Sequence, residues 1–320
     1  GRRFLDFASG IGVTSLGHAH PEVTKALKDQ ADKVWHVSNL YNIDPQTRLA
    51  ERLVAHSFAD RAFFCNSGAE AVEASFKMAR IYHSTNEDTA RYRVVTAANA
   101  FHGRTLATIA AGGQAKHLDG FGPRVDGFDQ IALNDLKAAK AAVGPETAAI
   151  IVEPVQGEGG IHLADPDFLA GLRALCDEAG ILLIYDEIQC GMGRTGKLWA
   201  HEWSGVAPDI MTLAKALGNG FPIGAVLATE AVAETLVPGK HGTTFGGNPL
   251  ATSVANAVLD EMLADGFLDH AERMGALLRK RLEGLIGNKR VFSEVRGVGL
   301  MLGLQCTDSN LELMAVLRDE

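Results

Sequence analysis

Short runs of apolar, β-forming residues recur along this chain and alternate with segments of helical periodicity. Strands are predicted at 61–65, 92–97, 148–153, 181–187, 210–214 and 225–229. Helical patterns such as 168–179 separate several of them. This alternation is typical of an α/β fold in which a mostly parallel sheet is flanked by helices. Ligands of such sheets bind at the carboxyl ends of the strands, so functional residues are expected there.

The chain is long enough for more than one domain. Its 320 residues, 47% of them hydrophobic, exceed the size at which a single core usually stops growing. Helical patterns at 248–264 and 267–285, followed by strands around 291–304, predict a connecting helix and a smaller α+β domain.

We predict three parts, with the small domain cut short and further residues expected at both ends. They are an N-terminal segment 1–36 that packs with the small domain, a large domain 37–264 and a small C-terminal domain 265–320.

The composition favours small-molecule chemistry. A net charge of −9 argues against a nucleic-acid-binding surface. The longest apolar runs, such as 181–185, are too short to span a bilayer. The four cysteines are widely spaced and form no CxxC pair, which suggests reduced thiols. We predict a cytoplasmic protein without nucleic-acid or membrane partners, and we assign no residue to a metal.

Two ionisable residues stand at the ends of apolar runs. Lys215 follows the run 210–214, and Asp186 follows the run 181–185. Burying either charge is costly unless the group is paired, neutralised or used covalently. Taken alone, an ordinary buried ion pair for Asp186 and a solvent-reaching side chain for Lys215 are the commoner interpretations. A protonated pyridine nitrogen is also a chemically suitable partner for Asp186.

A small polar turn after the first predicted strand opens a helix. The backbone N–H groups of Ser67, Gly68 and Ala69 would suit a phosphate there, aided by the helix macrodipole. An ordinary N-cap formed by Asn66 or Ser67 is the commoner interpretation of this turn alone.

A second polar turn precedes the long helix at 248–264. The hydroxyls of Thr243 and Thr244 could donate hydrogen bonds to a phosphate. The alternative is a helix start capped by Asn248.

The segment 99–105 places an aromatic ring, an imidazole and a guanidinium in one turn. Phe101 could stack on a planar cofactor, and Arg104 could hold a substrate carboxylate with its two-pronged geometry. A core phenylalanine and a surface ion pair are the alternatives. We interpret His102 as a structural hydrogen-bonding residue.

A loop rich in glycine follows the predicted strand 148–153 and carries two acids, Glu153 and Glu158. A carboxylate in such a loop can face the site, and we choose Glu158 for that position. A solvated loop acid is an equally good interpretation.

The segment 191–197 matches two nucleotide-binding patterns by chance. It satisfies GxGxxG, but only a short helical window follows before Gly205 and Pro208, whereas a dinucleotide site needs a packed helix. It also satisfies GxxxxGK, but Leu198 stands where a P-loop needs Ser or Thr.

Taken together, the ordered motifs of the chain resemble those of the class III aminotransferases, which are pyridoxal-phosphate enzymes of fold type I. The resemblance covers nearly the whole chain. The motifs are NSGAE at 66–70, FHGRT at 101–105, EPVQGE at 153–158, DEIQ at 186–189, Lys215 and TTFGGNP at 243–249.

The resemblance implies roles for the residues that hold pyridoxal 5'-phosphate. Lys215 would bind the cofactor covalently and Asp186 would keep its ring nitrogen protonated. Phe101 would stack on the ring and Gln189 would bond near the ring oxygen. The remaining roles concern the phosphate, which would be held by Ser67, Gly68 and Ala69 of one subunit and by Thr244 of the other.

The resemblance also implies the partners. A homodimer with shared active sites is expected. Arg104, assisted by Thr243, would hold the substrate α-carboxylate, and Glu158 would shape the pocket for two alternating substrates. The segments LGHAHP at 16–21 and WHVSNLY at 35–41 most resemble members that use N2-acetylornithine as donor and 2-oxoglutarate as acceptor.

Several other functions stay open on the sequence alone. Within the same cofactor class, the donor could be ornithine, succinylornithine, succinyldiaminopimelate or 4-aminobutyrate, or the enzyme could be an aminomutase. Pocket shape decides among them. A nicotinamide oxidoreductase, which would rest on the segment 191–196, and a non-catalytic dimeric scaffold belong to different classes.

Overall fold

The structure is a computed structural model that describes residues 1–286 and 291–319. Residues 287–290 and Glu320, which fall in the predicted small domain, lie outside the described residues. The strands are β1 Arg61–Cys65, β2 Arg93–Ala97, β3 Phe128–Ile131, β4 Thr147–Val152, β5 Val155–Gln156, β6 His162–Leu163, β7 Leu182–Asp186, β8 Ile210–Leu213, β9 Gly224–Ala228, β10 Phe292–Val298 and β11 Met301–Cys306.

The helices connect these strands and cover them. They are α1 Ser9–Gly12, α2 Pro21–Ala31, α3 Asp44–Ala55, α4 Gly68–Thr85, α5 Leu106–Gly112, α6 Ala115–Leu118, α7 Leu136–Ala142, α8 Pro166–Ala179, α9 Glu230–Ala233, α10 Pro249–Met262, α11 Phe267–Glu283 and α12 Asn310–Asp319. Two short 3-10 helices span Ala200–Trp203 and Lys215–Leu217.

A central sheet dominates the described part of the chain. Its seven strands lie in the order β1-β9-β8-β7-β4-β2-β3. Strand β9 runs antiparallel to both neighbours, and the other pairings are parallel. The mostly parallel α/β sheet predicted from the sequence is therefore confirmed. The short strand β3 was not predicted, because its four residues include exposed polar positions.

Helices cover the sheet on both faces, since alternate residues of each strand point to opposite sides. On one face, Ile184 of β7 and Ile210 of β8 pack with helices α4 and α5. On the other face, Leu183 of β7 packs with α7 and α8, and Met211 of β8 packs with α3 and α10. The central strands are consequently apolar on both sides and end in buried polar residues.

A separate two-stranded sheet lies beyond the long helix α10. Strands β10 and β11 pair antiparallel, and Arg279 of α11 donates hydrogen bonds to carbonyl oxygens of Val295 and Gly297 on β10. The N-terminal helix α2 packs against α10, with Val23 in their shared core. The boundaries 1–36, 37–264 and 265–320 remain a prediction.

Among the helices of the described residues, none combines the length and the apolar character that a membrane span requires.

Candidate active site

A cavity of about 360 Å³ opens at the carboxyl ends of the parallel strands. Turns that follow β1, β2, β7 and β8 form its walls, because these strands all end at the same edge of the sheet. The cavity brings together several residues predicted from the sequence. These are Ser67, Gly68, Ala69, Phe101, Arg104 and Lys215.

A buried ion pair lies at the inner end of the cavity. His102, which lines the cavity, places Nδ1 2.7 Å from Oδ2 of Asp186. The two residues are 1% and 2% exposed. Burial opposes the charged imidazole, but the hydrogen bond and charge of Asp186, together with the charge of Glu153, raise the pKa of His102. The pair therefore places a carboxylate and an imidazole in direct contact, away from water.

Asp186 retains capacity for one more donor. Besides His102, its Oδ1 accepts hydrogen bonds from the backbone N–H of Ile188 at 3.1 Å and from Oγ1 of Thr212 at 3.2 Å. A carboxylate offers about four acceptor positions. A protonated ring nitrogen would fill the remaining position.

Lys215 enters the cavity from a strained turn directly after β8. Its φ of 42° lies in the left-handed region that side chains other than glycine rarely adopt. Burial lowers the pKa of its ammonium group, and the charges of Asp186 and Glu158 oppose that shift. Among the described residues, its Nζ forms no hydrogen bond or ion pair of its own. A neutral, nucleophilic amine is thereby favoured at this position.

The turn after Lys215 also fixes the N-terminal segment. A Cβ added to Gly218 would lie 2.0 Å from the carbonyl oxygen of Phe221, so the chain can reverse there only with glycine. Oδ1 of Asn219 accepts a hydrogen bond from the backbone N–H of Leu16 at 2.9 Å. This contact brings Val13 to the cavity wall.

The N-terminus of α4 forms another wall. Ser67 caps the helix, with Oγ accepting a hydrogen bond from the N–H of Glu70 at 3.3 Å. The N–H groups of Gly68 and Ala69 belong to the first turn, which the helix itself leaves without acceptors. A Cβ on Gly68 would lie 2.8 Å from Cδ1 of Ile188, so glycine allows the turn after β7 to approach the helix. This arrangement suits an anion such as a phosphate.

Phe101 and Arg104 lie together at the mouth of the cavity. The Cζ atom of Arg104 is 5.4 Å from the centroid of the Phe101 ring. The backbone N–H of Phe101 donates to Oε2 of Glu153 at 3.1 Å. Glu153 is 4% exposed, and burial raises its pKa to about 7. The turn that carries the aromatic ring is thus fixed by a hydrogen bond to a buried carboxyl group.

Five predicted site residues do not line the cavity, and one of them, Asp186, lies beside it as the partner of His102. Gln189 packs behind it against Gly157, and Glu158 is exposed at the tip of the loop between β5 and β6. The Oγ1 atom of Thr243 accepts from Nδ2 of Asn66 at 3.3 Å, while Thr244 is exposed. Their assigned roles remain predictions.

Sequence reasoning gave no site role to two residues that the structure places at the centre. His102 binds Asp186, and Glu153 binds the turn that carries Phe101. Glu153 was identifiable by the criterion applied to Asp186, since it also ends an apolar run. No sequence signal distinguishes His102 from a structural histidine.

The segment 191–197 forms a series of turns, and only the 3-10 helix Ala200–Trp203 follows. No helix begins at Gly196 within this described segment, in agreement with the rejection of a dinucleotide site. Across the described ranges 1–286 and 291–319, no group of three or more His, Cys, Asp or Glu residues could hold a metal ion.

The comparison with known families agrees with this site. The sequence profile described as aminotransferase class-III matches residues 1–320. This chain belongs to the class III aminotransferases. The members of the family depend on pyridoxal 5'-phosphate, so the chain is an aminotransferase that uses this cofactor. The oxidoreductase and scaffold alternatives are not supported.

Individual class III aminotransferases resemble the chain over most of its length. An acetylornithine aminotransferase from Mesorhizobium japonicum is 58% identical over 100% of this chain and 80% of its own. A succinylornithine transaminase/acetylornithine aminotransferase from Pseudomonas aeruginosa is 50% identical over 96% of this chain and 76% of its own. The solved ornithine aminotransferase of Toxoplasma gondii superposes with a TM-score of 0.93 at 36% identity, covering 97% of this chain and 74% of that one.

The residues of the cavity fit the family's cofactor. The amine of Lys215 is on a half-buried side chain and has no partner of its own among the described residues, and Asp186 can accept one further hydrogen bond. The start of α4 presents backbone N–H groups to an anion. An amine, a carboxylate with a free acceptor position and a helix N-terminus suited to an anion therefore lie in or next to one cavity.

Proposed function

We propose that this chain transfers the amino group of N2-acetylornithine to 2-oxoglutarate, forming N-acetylglutamate 5-semialdehyde and glutamate in arginine biosynthesis. The carrying observation is Lys215, which has no hydrogen-bond or ion-pair partner among the described residues and lines a cavity next to the buried Asp186–His102 pair. The 58% identity to an acetylornithine aminotransferase over the full chain supports the choice of donor.

Pyridoxal 5'-phosphate would be held by the residues gathered at the strand ends. When bound, it supplies an electron-withdrawing ring that accepts the electron pair left on the donor carbon. Lys215 would attach it covalently, Asp186 would hold a proton on its ring nitrogen, and Gln189 would bond near its ring oxygen. Phe101 would stack on the ring. Its phosphate would be bound at Ser67, Gly68 and Ala69.

Lys215 has the second task of moving a proton. Once the donor nitrogen has taken its place in the covalent bond, the freed Nζ would have to be neutral to accept the proton from the carbon that bears the donor nitrogen. Burial lowers the pKa of this amine and so favours the neutral form. The same Nζ then returns the proton in the next step, which requires no other base.

His102 supports the reaction by holding Asp186. Its Nδ1–H donates to Oδ2 at 2.7 Å, which fixes the orientation of the carboxylate. The raised pKa of His102 favours the imidazolium, which places a positive charge beside the carboxylate of Asp186.

Substrate recognition would use residues at the mouth. Arg104, together with Thr243, would bind the α-carboxylate, and its guanidinium is exposed beside Phe101. Glu158 would line the other side, since its charge acts on Lys215 across the site.

The active unit we propose is a homodimer with shared sites in the cytoplasm. Thr244 is exposed and lies outside the cavity of its own chain, and the neighbouring Phe245 is 59% exposed. Thr244 would bind the phosphate in the second subunit. Mixing Lys215→Ala and Thr244→Ala chains should restore activity, because one site of each mixed dimer then has both residues. Additive activities of the two variants would argue against shared sites.

The decisive experiment is a donor panel. The protein is loaded with pyridoxal 5'-phosphate, and glutamate formed from 2-oxoglutarate is quantified with N2-acetylornithine, ornithine, succinylornithine, succinyldiaminopimelate and 4-aminobutyrate. The highest kcat/KM is expected for N2-acetylornithine. A higher value for another donor would replace the substrate assignment, and absence of glutamate with every donor would overturn the proposal.

A further inference from the structure

We infer that Ile161 is a positioning residue for the substrate side of the site. Through Ile161, the hairpin of β10 and β11 sets the position of the loop 157–161, which carries Glu158. The inference rests on the proposed function, in which Glu158 faces the amino donor.

The loop 157–161 has little rigidity of its own. It joins the two-residue strands β5 and β6, and three of its five residues are glycine. Its own hydrogen bonds run from the N–H groups of Gly160 and Ile161 to the carbonyl oxygen of Gly157, at 3.1 and 3.3 Å. On the side of the large sheet, Oε1 of Glu153 accepts from the N–H of Gly157 at 3.3 Å.

Ile161 adopts an unfavourable backbone conformation. Its φ is 56°, in the left-handed region that β-branched residues strongly avoid. Such a conformation persists only where the surrounding structure holds it. The contacts of its side chain must therefore outweigh the strain.

Two glycines of the hairpin provide those contacts. A Cβ added to Gly303 on β11 would lie 2.9 Å from Cγ1 of Ile161. A Cβ added to Gly297 on β10 would lie 2.8 Å from its Cγ2. The isoleucine side chain thus occupies a gap that exists because both strands carry glycine at this point.

Further polar and apolar contacts join the hairpin of β10 and β11 to the loop 157–161. Arg296, which pairs with Gly303 across the hairpin, donates from Nη1 to the carbonyl oxygen of Gly160 at 3.4 Å. Ile161 also packs on a core cluster that includes Met301 of the hairpin and Cys190, the residue after Gln189. The hairpin consequently contacts the loop of Glu158 and also the turn of Gln189.

A shift of this hairpin would move Glu158, while the covalent, ring-nitrogen and phosphate contacts proposed for the cofactor would stay in place. Lys215, Asp186 and the start of α4 are fixed by the large sheet and its helices, whereas the loop depends on Ile161. The expected signature is a change in substrate KM without a change in cofactor affinity.

The test fills the gap with a methyl group. Gly303 has no positive φ, so Gly303→Ala introduces the contact with Ile161 without backbone strain. We expect KM for N2-acetylornithine and 2-oxoglutarate to rise roughly tenfold, since a misplacement of about 1 Å can cost up to 10²-fold. The cofactor dissociation constant, measured by absorbance titration, should stay unchanged. Gly144→Ala is the matched control, because no atom lies within 4 Å of a Cβ there.

A double-mutant cycle separates positioning from general damage. Ile161→Ala removes the atoms that the new methyl group meets, so the double variant should have a lower KM than Gly303→Ala alone. Additive effects, or an unchanged KM in a destabilised Gly303→Ala protein, would overturn the inference. If Gly303→Ala does not fold, Ile161→Ala alone must raise KM with cofactor affinity retained.

The cycle is measured with whichever donor proves best in the panel. A wrong donor assignment then appears in the wild-type protein, whereas a wrong role for Ile161 appears only in the variants.

Discussion

The cofactor side and the substrate side of the cavity are held by the fold in different ways. Asp186 and His102, on the cofactor side, are 2% and 1% exposed, and they belong to strand ends of one sheet. Arg104 and Glu158, which we propose for the substrate side, are exposed residues of loops. The first pair makes hydrogen bonds within the large domain, while the loop of Glu158 is supported by the small hairpin β10–β11.

This difference suggests that the residues for the chemical step and the residues for substrate choice lie in different parts of the fold. The residues proposed to hold a charge or move a proton lie at or just beyond the ends of the central strands, where burial strengthens their electrostatic interactions. The residues that would select the substrate lie on loops that can vary without disturbing the sheet. Substitutions on the two sides should therefore have different kinetic signatures.

The largest expected effect comes from Lys215→Ala. The variant loses both the covalent attachment point and the base, so kcat should fall by at least about 10³-fold. Glutamate formation under saturating substrates measures this. Lys25→Ala is the control, since that lysine forms only an exposed pair with Asp29. Activity within tenfold of wild type would contradict the role assigned to Lys215 on the cofactor side.

Asp186→Asn should be the next most damaging change. It keeps the size of the side chain but removes the charge that holds the ring proton, and we expect kcat to fall by about 10²-fold or more. The substrate KM should change little. A fast half-reaction, followed by stopped-flow absorbance, would contradict the role given to Asp186.

Arg104→Ala should affect the opposite side of the cavity. Loss of a charge-assisted contact to the α-carboxylate should raise the donor KM roughly 10- to 100-fold, while cofactor affinity is retained. Arg48→Ala provides a control on an exposed arginine distant from the cavity. Unchanged kinetics with N2-acetylornithine would show that another residue binds the carboxylate.

The smallest effect concerns the pH dependence of stability. Burial raises the pKa of Glu153 from 4.5 to about 7, so the folded state holds this proton more tightly than the unfolded state. The free energy of unfolding should therefore decrease as pH rises from 4.5 to 7. Glu153→Gln should have a shallower decrease over this range in urea titrations. Equal slopes would mean that the pKa of Glu153 does not differ between the folded and unfolded states.

Most of the fold could be predicted from local sequence. Apolar runs such as β4 and β7 are strongly patterned because both faces of a central strand are buried. The direction of β9 was not predictable, because an apolar run of five residues does not encode which way it pairs. Strand β3 was missed since a short edge strand has little apolar pattern.

The candidate site was also partly predictable from local sequence patterns. Lys215 and Asp186 stood out because an ionisable residue at the end of an apolar run is costly to bury, and the resemblance of the ordered motifs gave them their proposed roles. Glu153 met the same criterion but was given no role, and His102 was not assigned because its contact joins residues far apart in the chain. The His102–Asp186 bond, for example, spans 84 positions.

The sequence by itself determined the α/β alternation, the family and the positions of the chemical groups, since apolar periodicity and motif order are local properties of a chain. Only the tertiary structure decided which groups meet. The partner of Asp186 is a histidine, Glu153 lies beneath the turn of Phe101, and Ile161 fits between two glycines of the small hairpin. Each of these contacts arises because packing brings distant segments together, and packing depends on the whole chain at once.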